Sequence, residues 1–390
     1  MSDAYVYTPL YDLENIANAV RNKFGLSRKF YVSELDDIIS NAEVQTNTDI
    51  EDSLILRTVS EYTNSRVTSI GASAFTGCTN LTTVNFDACT TIDSNAFNNC
   101  IKLASISFPA CTNIGSNAFY CCSKLTSVYF PECTYVGSYA FYSCTGIASA
   151  SFPVCQSIGY YAFSSCRTLT SLDFPECTRI DSGAFINCQS VVNVNLPKCT
   201  YIGNNTFSNC LKLQSVELPA CVTLSTGAFQ KCEKLETVSL PACTSVGASA
   251  FVSCAKLTNV NLPVCVNIGS NAFTYCGIIS SVNFPACTTI GSSAFSYCSK
   301  LTTVNLPECK LIYPYAFKAC YNLSKVIIGA STVCVLSNSN AFSSTPYAGY
   351  SSYYSGMPYI YVPSSLIASY QTATNWSYYS SYFSAIEDMT

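Results

Sequence analysis

The pattern of apolar and polar positions repeats every 22 residues through most of the chain. A Phe stands at twelve positions from Phe75 to Phe317 with an unbroken interval of 22, and an Ala precedes every one except Phe207. A fixed period of this size, without insertions, indicates a solenoid in which each copy contacts mainly its neighbours. We therefore expect one long repeat body instead of two to four separate globular domains.

The repeat unit is I-G-x-x-A-F-x-x-C-x-x-L-x-x-V-x-(F/L)-P-x-C-T-x. Its L-x-x-V-x-F part, for example Leu81, Val84 and Phe86, ends in the alternation that is typical of a strand with one buried face. Stacked copies would form a parallel sheet, and the Pro after the strand would mark a corner. The Ile-Gly step, as in Ile114-Gly115, predicts a second short extended piece followed by a turn that needs positive φ at the glycine.

The cysteines follow the same period. Twelve lie three residues after the repeated Phe, from Cys78 to Cys320, and eleven run from Cys89 to Cys309, so only Cys121 and Cys334 of the 25 stand outside. Disulfides between all rungs would strain the stack, although rungs ~4.8 Å apart bring sulfurs near one another. A spacing of eleven residues without His does not supply a tetrahedral metal site. We expect buried free thiols that act as small hydrophobes.

Composition and charge exclude several functions. The net charge is −4, and the chain lacks the basic stripe of a nucleic-acid-binding protein. The absence of His removes His-dependent triads, zinc fingers and HExxH sites. No apolar run approaches the ~20 residues of a membrane span, so no membrane insertion is expected. The first 25 residues lack the basic and apolar regions of a signal peptide, which predicts export by a route other than ordinary secretion.

The repeat resembles a known family. The pattern L-x-x-L-x-L-x-x-(N/C) is that of the leucine-rich repeat strand, and Leu125, Val128, Phe130 and Cys133 match it. The 22-residue form with I-G-x-x-A-F-x-x-C resembles the BspA-like, or Treponema pallidum-type, leucine-rich repeats over about residues 67 to 330. The resemblance implies a parallel-sheet solenoid with a binding role, since members are mostly bacterial surface adhesins and binding proteins without enzymatic activity.

The N-terminal segment differs from the repeat. Residues 11–25 place apolar side chains at helical spacing before Gly25, and residues 32–42 repeat that pattern. Residues 1–50 are therefore predicted to form a small α-helical hairpin module. Its I-A-x-A-V-R-x-K-x-G run resembles a module at the N-terminus of phage and prophage structural proteins, which implies docking to a virion component.

The C-terminal segment also leaves the period, since the next Ala-Phe pair follows after 25 residues. We expect a strand at residues 359–362, a helix beginning near Ser364 or Ser365, and a cap into which Trp376 packs. An atypical last unit is needed because the end of a solenoid exposes apolar cross-section. The predicted divisions are a docking module at 1–50, a linker or degenerate repeat at 51–66, a solenoid of about twelve rungs at 67–330, and an atypical terminal repeat with a C-terminal cap at 331–390.

The outward side of the predicted strand is a candidate binding wall. The positions represented by Thr83 and Asn85 are mostly Ser, Thr or Asn in the other repeats. This wall could hold glycan hydroxyls or be a solvated ladder without a ligand. Asp173 and Glu217 lie two rungs apart, ~9.6 Å, close to the ~6.5–9.5 Å between the carboxyl groups of inverting glycosidases. Neither carboxyl group has the apolar neighbours that suit a general acid, so a glycoside hydrolase is only a remote alternative.

Tyrosines provide a more specific candidate. They crowd three successive repeats at variable positions, and Tyr combines apolar area with a hydroxyl, as is common at recognition surfaces. Most take edge and turn positions beside the wall. The candidate binding residues are Tyr129, Tyr139, Tyr142, Tyr160 and Tyr161. Ten further Tyr between positions 347 and 382 are the alternative location.

These features together predict a non-enzymatic solenoid without cofactor or metal. The favoured role is recognition or decoration of a host surface by a phage or prophage virion. The expected partners are a host cell-surface protein or glycan and, through the N-terminal module, a virion component. The alternative is a BspA-like adhesin on a bacterial cell surface or secreted from it. Formation of a homo-oligomer stays open.

Overall fold

The computed structural model describes residues 59–349 and 358–389. The predicted helical module at 1–50 lies outside the described residues. Each 22-residue repeat forms one turn of a parallel β-solenoid: a three-residue strand, a corner at Pro, a two-residue strand, and a turn that contains A-F-x-x-C. The predicted solenoid with 22-residue rungs and parallel sheets is confirmed.

The three-residue strands form the first ladder, called here the three-residue ladder. In each of them the central side chain points inward and the two flanking side chains point outward. In the described residues this ladder consists of β1 (Glu61–Thr63), β3 (Thr83–Asn85), β5 (Ser105–Ser107), β7 (Ser127–Tyr129), β9 (Ser149–Ser151), β11 (Ser171–Asp173), β13 (Asn193–Asn195), β15 (Ser215–Glu217), β17 (Thr237–Ser239), β19 (Asn259–Asn261), β21 (Ser281–Asn283), β23 (Thr303–Asn305) and β25 (Lys325–Ile327).

The two-residue strands form the second ladder, called here the two-residue ladder. They are the short extended pieces that the Ile-Gly step predicted, and their second residue is buried. They are β2 (Ser69–Ile70), β4 (Thr91–Ile92), β6 (Asn113–Ile114), β8 (Tyr135–Val136), β10 (Ser157–Ile158), β12 (Arg179–Ile180), β14 (Tyr201–Ile202), β16 (Thr223–Leu224), β18 (Ser245–Val246), β20 (Asn267–Ile268), β22 (Thr289–Ile290), β24 (Leu311–Ile312) and β26 (Val335–Leu336).

The first of these rungs begins earlier than the regular repeat. Strand β1 lies in the segment predicted to be a linker or degenerate repeat, and it pairs in parallel with β3, with Tyr62 opposite Val84. Tyr62 also stacks on Phe86 with ring centroids 5.4 Å apart. A Tyr therefore takes the inward position that Val holds in most later rungs.

The solenoid ends in a small cap with the strand predicted at 359–362. The cap contains β27 (Tyr359–Val362), β28 (Phe383–Ala385), one α-helix, α1 (Ile367–Thr372), and 3-10 helices at Ser339–Phe342, Pro346–Ala348, Ser364–Leu366, Trp376–Tyr382 and Ile386–Asp388. β27 extends the three-residue ladder by pairing with β25, and β28 pairs with β27. Trp376 is fully buried, and its Nε1 donates a hydrogen bond to the Cys334 carbonyl at 2.6 Å.

Stacked aromatic rings fill the core. The repeated Phe side chains are fully buried, and neighbouring rings stack with centroids 4.9 Å apart at Phe75 and Phe97 and 5.6 Å apart at Phe295 and Phe317. Phe342 continues the stack at 5.2 Å although 25 residues separate it from Phe317. Offset or stacked rings contribute about 0.5–1.5 kcal/mol per pair beyond their buried area. The irregular last unit thus keeps the ring column intact.

The prediction of positive φ at the repeated glycine is wrong. Gly137 lacks a positive φ, and a Cβ built on it would lie 2.5 Å from the carbonyl carbon of Gly115 in the preceding rung. The glycine is therefore needed for close approach between rungs. Positive φ occurs instead two residues before and two residues after the repeated Phe, for example at Asn95 and Asn99 around Phe97.

The two ladders differ in continuity. The 13 two-residue strands form one sheet, whereas the three-residue strands form four sheets, with breaks between β5 and β7, β11 and β13, and β19 and β21. Within a sheet, the amide that follows a strand donates to the next rung, as from Leu240 to Asn261 at 3.1 Å. Among the described residues, no such bond is formed at the three breaks by the amides of Phe108, Phe174 and Leu262.

The first break opens its two rungs on one side only. Ring centroids of Phe108 and Phe130, which flank the first break, are 6.0 Å apart, against 5.3 Å for Phe130 and Phe152 inside the next sheet. On the opposite side of the same two rungs, Phe97 and Phe119 are 5.1 Å apart. The inward residue of the last strand before each break is partly exposed; these are Ile106, Leu172 and Val260.

Candidate binding surface

The thiols lie in the core and bond to backbone carbonyls. In the first series, each Sγ from Cys100 onward donates to the carbonyl of a Phe 25 residues earlier, as from Cys100 to Phe75 at 3.0 Å. In the second series, the Sγ donates to the carbonyl two residues later, as from Cys89 to Thr91 at 3.3 Å. None of the 25 is in a disulfide, and only Cys121 is partly exposed.

Burial suppresses the reactivity of these thiols. Desolvation raises the pKa of Cys155 to about 11 and that of Cys232 to about 12. Because the thiolate is the nucleophile and the metal ligand, thiols with such pKa values are inert near neutral pH. No group of three potential metal ligands occurs within 59–349 and 358–389. The cysteines therefore pack in the core and stabilise the stack. The candidate binding residues lie on the surface.

The wall of the three-residue ladder carries hydrogen bonds that run along the solenoid axis. Ser151 donates to Asp173 at 2.6 Å, Ser215 to Asn193 at 2.6 Å, and Asn305 to Asn283 at 2.8 Å. Such bonds satisfy the polar side chains from rung to rung, as expected for a solvated ladder. The two carboxylates proposed as a catalytic pair do not share a sheet, because the second break separates the strand of Asp173 from that of Glu217.

Three of the five candidate tyrosines come together in the turns. The rings of Tyr139 and Tyr161 stack with centroids 5.1 Å apart, and Tyr139 contacts Tyr142 at 5.7 Å. Tyr142 stacks in turn on Tyr120 at 4.9 Å. Tyr160 precedes Tyr161 in the chain and is 48% exposed. We call these five residues, at positions 120, 139, 142, 160 and 161, the tyrosine patch.

The fifth candidate lies elsewhere. Tyr129 belongs to β7 on the wall of the three-residue ladder and is 65% exposed. It borders the first ladder break, where its strand faces β5 without pairing in the same sheet. The structure therefore does not join Tyr129 to the tyrosine patch.

The tyrosine patch is formed at a conformational cost. Tyr139 and Tyr161 have φ of 58° and 54°, in the left-handed region, whereas most other rungs carry Asn, Ser or Gly at this position and Tyr315 is a further exception. Left-handed conformation costs an ordinary L-residue about 1–2 kcal/mol, and Asn and Gly adopt it more readily. Strained residues of this kind cluster at ligand-binding sites. Tyr at these two positions therefore lowers the stability of the fold relative to Asn or Gly.

A second aromatic cluster lies on the same turns, near the other end of the solenoid, and the sequence reasoning missed it. Tyr275 and Tyr297 stack with centroids 4.8 Å apart, and the Lys318 ammonium lies 5.8 Å from the Tyr297 ring and 5.3 Å from the Tyr315 ring. All three tyrosines again have positive φ. The available signal was the recurrence of Tyr two residues before or after the repeated Phe.

The tyrosines of the C-terminal segment have a different role. Tyr347, Tyr370 and Tyr379 are buried, and the Tyr370 hydroxyl accepts a hydrogen bond from the Cys334 amide at 2.9 Å. They pack around Phe342 and Trp376 at the end of the ring column. Much of this Tyr-rich segment is therefore cap core, which weakens it as an alternative binding site.

The fold defined by these observations is a leucine-rich repeat solenoid with 22-residue, cysteine-lined rungs. The model of the BspA type leucine rich repeat region matches residues 58–170, 156–278 and 222–349, with six copies. These matches cover more than half of the chain, which therefore belongs to the BspA-type leucine-rich repeat family. The family supports a non-enzymatic binding role, and leucine-rich repeat proteins generally mediate protein–protein interactions.

Several solved structures are similar to this chain. A leucine-rich repeat protein from Bacteroides ovatus is 25% identical with a TM-score of 0.54, over 71% of this chain and 80% of that one. A leucine rich cell surface protein from Faecalibacterium prausnitzii is 21% identical with a TM-score of 0.39, over 75% and 79%. The T. pallidum leucine rich repeat protein is 26% identical with a TM-score of 0.30, over 51% and 78%. No protein with a curated description matches the chain. Across the described ranges, none of the helices has the length and apolar character needed to cross a membrane.

Proposed function

We propose that this solenoid recognises a macromolecule on a cell surface, a protein or a glycan, through its tyrosine patch, and that it carries out no reaction. The observation that carries this proposal is the stacked pair Tyr139 and Tyr161 in left-handed conformation. Most other rungs carry Asn, Ser or Gly at this position, and Asn and Gly adopt the left-handed conformation more readily than Tyr. Binding accounts for the choice of Tyr, since a few Tyr, Trp or Arg residues usually dominate the energy of an interface.

The geometry of the patch suits an extended ligand. Rings one rung apart stack at about 5 Å in two pairs, Tyr120 with Tyr142 and Tyr139 with Tyr161, so the aromatic surface extends along the solenoid axis. Exposed area is concentrated at Tyr139 and Tyr160, at 36% and 48%, which a partner could cover. The small polar residues of the surrounding rungs would form the near-neutral rim of such a contact.

The carrier of the solenoid is the finer part of the proposal. Display on a phage or prophage virion is supported by the I-A-x-A-V-R-x-K-x-G run that begins at Ile16. Display on a bacterial cell surface or secretion from it is supported by the family, whose members are surface-associated or secreted. The two carriers differ in their binding targets. A virion binds a bacterial envelope, whereas a bacterial adhesin binds host protein or glycan.

Binding of the fluorescently labelled full chain to two panels tests the proposal. One panel contains bacterial cells of different envelope types, and the other contains mucin and epithelial cells. Saturable binding to selected bacteria supports the virion, and binding to mucin or epithelial cells supports the adhesin. The proposal is contradicted if binding in both panels is unchanged when Tyr139, Tyr142, Tyr160 and Tyr161 are all replaced by Ser. Replacement of the exposed Tyr378 of the cap by Ser is the matched control.

Deletion of residues 1–50 tests the docking role separately. Nearest-neighbour stacking carries the stability of a solenoid, so the truncated chain should keep its thermal unfolding curve. It should lose incorporation into particles when the prophage or phage that encodes it is induced. Incorporation of the truncated chain would show that the N-terminal segment does not dock the protein.

A further inference from the structure

A second group of surface residues lies on the same turns as the tyrosine patch but carries a charge. It consists of Tyr275, Tyr297, Tyr315 and Lys318, called here the cationic tyrosine cluster, and it begins five rungs beyond the end of the patch. Tyr275 and Tyr315 are 52% and 42% exposed, so ring surface is open to a partner. Lys318 takes the position that Tyr142 holds in the patch, one residue after the repeated Phe.

The ammonium of Lys318 is held by aromatic rings and not by an acid. It lies 5.8 Å from the ring centroid of Tyr297 and 5.3 Å from that of Tyr315, within the ~6 Å range of cation–π attraction. In the part of the chain that the structure describes, no carboxylate pairs with this ammonium. Lys318 is also partly buried. A partly desolvated cation without a counter-charge attracts an anionic group more strongly than a fully hydrated one.

The charge of the surrounding turns favours an anion as well. In the last four rungs, Lys318 is the only charged residue within three positions of the repeated Phe. Residues 269–349 contain four Lys and one Glu, although the complete chain has a net charge of −4. The turns of the tyrosine patch contain no charged residue within three positions of Phe119, Phe141 or Phe163. The two groups of tyrosines therefore differ in the charge of the partner that they suit.

We propose that the cationic tyrosine cluster is a second binding site, which takes an acidic saccharide through a sugar carboxylate, as in a uronate or a sialate. The Lys318 ammonium pairs with the carboxylate. The exposed ring faces and hydroxyls of Tyr275 and Tyr315 contact the C–H groups and hydroxyls of the sugar. The inference rests on the proposed function only in the premise that the turns of the solenoid bind, and it adds a site and a ligand class that the tyrosine patch does not account for.

A peptide suits this cluster less well. Strand addition uses main-chain groups that are free at an edge. The amides of these turns are already bonded, since those of Tyr275, Tyr297 and Ala319 donate to carbonyl oxygens of the next rung at 3.0, 2.8 and 2.9 Å. Recognition therefore depends on side chains, which offer one cation, ring faces and hydroxyls. A sugar with a carboxylate supplies a complementary group for each of the three.

Isothermal titration calorimetry of the full chain with matched pairs of probes tests the site. Hexagalacturonate is compared with its uncharged methyl ester, and 3′-sialyllactose is compared with lactose. We expect saturable binding of at least one acidic probe, at least fivefold tighter than that of its neutral counterpart. The two pairs distinguish a uronate from a sialate as the source of the carboxylate. High salt should weaken the binding, because salt screens the ion pair.

Four variants test whether the binding depends on the cluster. Lys318→Gln should remove the difference in affinity between the acidic probe and its neutral counterpart, and it should fold because Gln230 holds the equivalent position in another rung. Lys318→Arg keeps the charge and should retain the affinity within about threefold. Tyr275→Ser, with Ser253 as the equivalent residue one rung earlier, should weaken binding at least threefold. The control Lys231→Gln makes the same charge change on the same turns, four rungs away, and should alter the affinity less than twofold.

Four results would overturn the inference. They are absence of binding by both acidic probes, equal affinity for an acidic probe and its neutral counterpart, equal weakening by Lys318→Gln and Lys231→Gln, and tighter binding of hexaglutamate, an acidic peptide, than of both acidic saccharides. The four-residue Ser variant of the tyrosine patch should keep its affinity for the acidic probe. Loss of that affinity would place the saccharide at the tyrosine patch and contradict this site, while the proposed function would stand.

Discussion

Alkaline pH should destabilise the solenoid through its buried thiols. A thiol in the unfolded chain titrates near pH 8.5. Burial raises the folded pKa to about 11 or about 12 for eight of them, namely Cys111, Cys155, Cys199, Cys221, Cys232, Cys265, Cys287 and Cys298. A raised folded pKa contributes stability that is complete below pH 8.5 and is lost as the pH rises towards 11 or 12.

The magnitude follows from this difference. At pH 8.5, half of the unfolded thiols are ionised and the folded thiols are not, so each of the eight lowers the free energy of unfolding by RT ln 2, about 0.4 kcal/mol. The eight together lower it by about 3 kcal/mol between pH 7 and pH 8.5, and by about 11 kcal/mol at pH 9.5. The second value is comparable with the whole stability of a typical domain, about 5–15 kcal/mol. Cooperative unfolding is therefore expected between pH 9 and pH 10.

Urea denaturation followed by circular dichroism, with reductant present, measures this loss at pH 7.0 and 8.5. The measurement is repeated at low and high salt, because salt screens repulsion between surface charges but hardly changes the ionisation of buried thiols. The predicted decrease of about 3 kcal/mol should appear at both salt concentrations. A decrease of less than about 1 kcal/mol, or one that high salt removes, would refute the reasoning.

Three further predictions concern the rungs, the cap and the redox state. Gly137→Ala should cost about 1–3 kcal/mol in urea unfolding because its Cβ would meet the Gly115 backbone at 2.5 Å. Gly277→Ala, whose nearest neighbour lies at 3.7 Å, should be neutral or slightly stabilising, and equal effects would contradict the close-approach explanation. Trp376→Ala should cost about 3–5 kcal/mol, and an unchanged melting curve would remove the Trp from the cap core. Thiol titration of denatured protein, purified without reductant, should return nearly 25 thiols per chain, and a count below about half would show that the ladders are bridged.

The solenoid could be predicted because the structure of each rung depends only on its own sequence and on the adjacent rungs. The period of 22, the alternation around Val84 and the Ile-Gly step each determine a feature that depends only on neighbouring rungs. The backbone conformation of the turns was assigned to the wrong residue. Asn95 and Asn99 show the reason. The signal for positive φ was the recurrence of Asn, Ser and Gly two residues before and two residues after the repeated Phe. The prediction used the glycine of the Ile-Gly step instead.

The candidate sites were less predictable. Tyr139, Tyr142 and Tyr161 come together because residues two before and one after the repeated Phe are neighbours in the turn, a relation that only the turn geometry reveals. The breaks of the three-residue ladder have no visible sequence signal. Asn259–Asn261, which ends a sheet, has the same N-V-N sequence as Asn193–Asn195, which begins one.

The tyrosine patch is the feature on which binding by the solenoid should depend most. The most direct measurement is the affinity of the chain for the cells or glycan found in the two binding panels, compared with that of the variant in which Tyr139, Tyr142, Tyr160 and Tyr161 are Ser. We predict a loss of at least tenfold, or ~1.4 kcal/mol, with the fold retained. Adding Tyr129→Ser to that variant should change the affinity little further, because Tyr129 lies apart on the wall. Unchanged affinity of the folded four-residue variant would contradict the central claim.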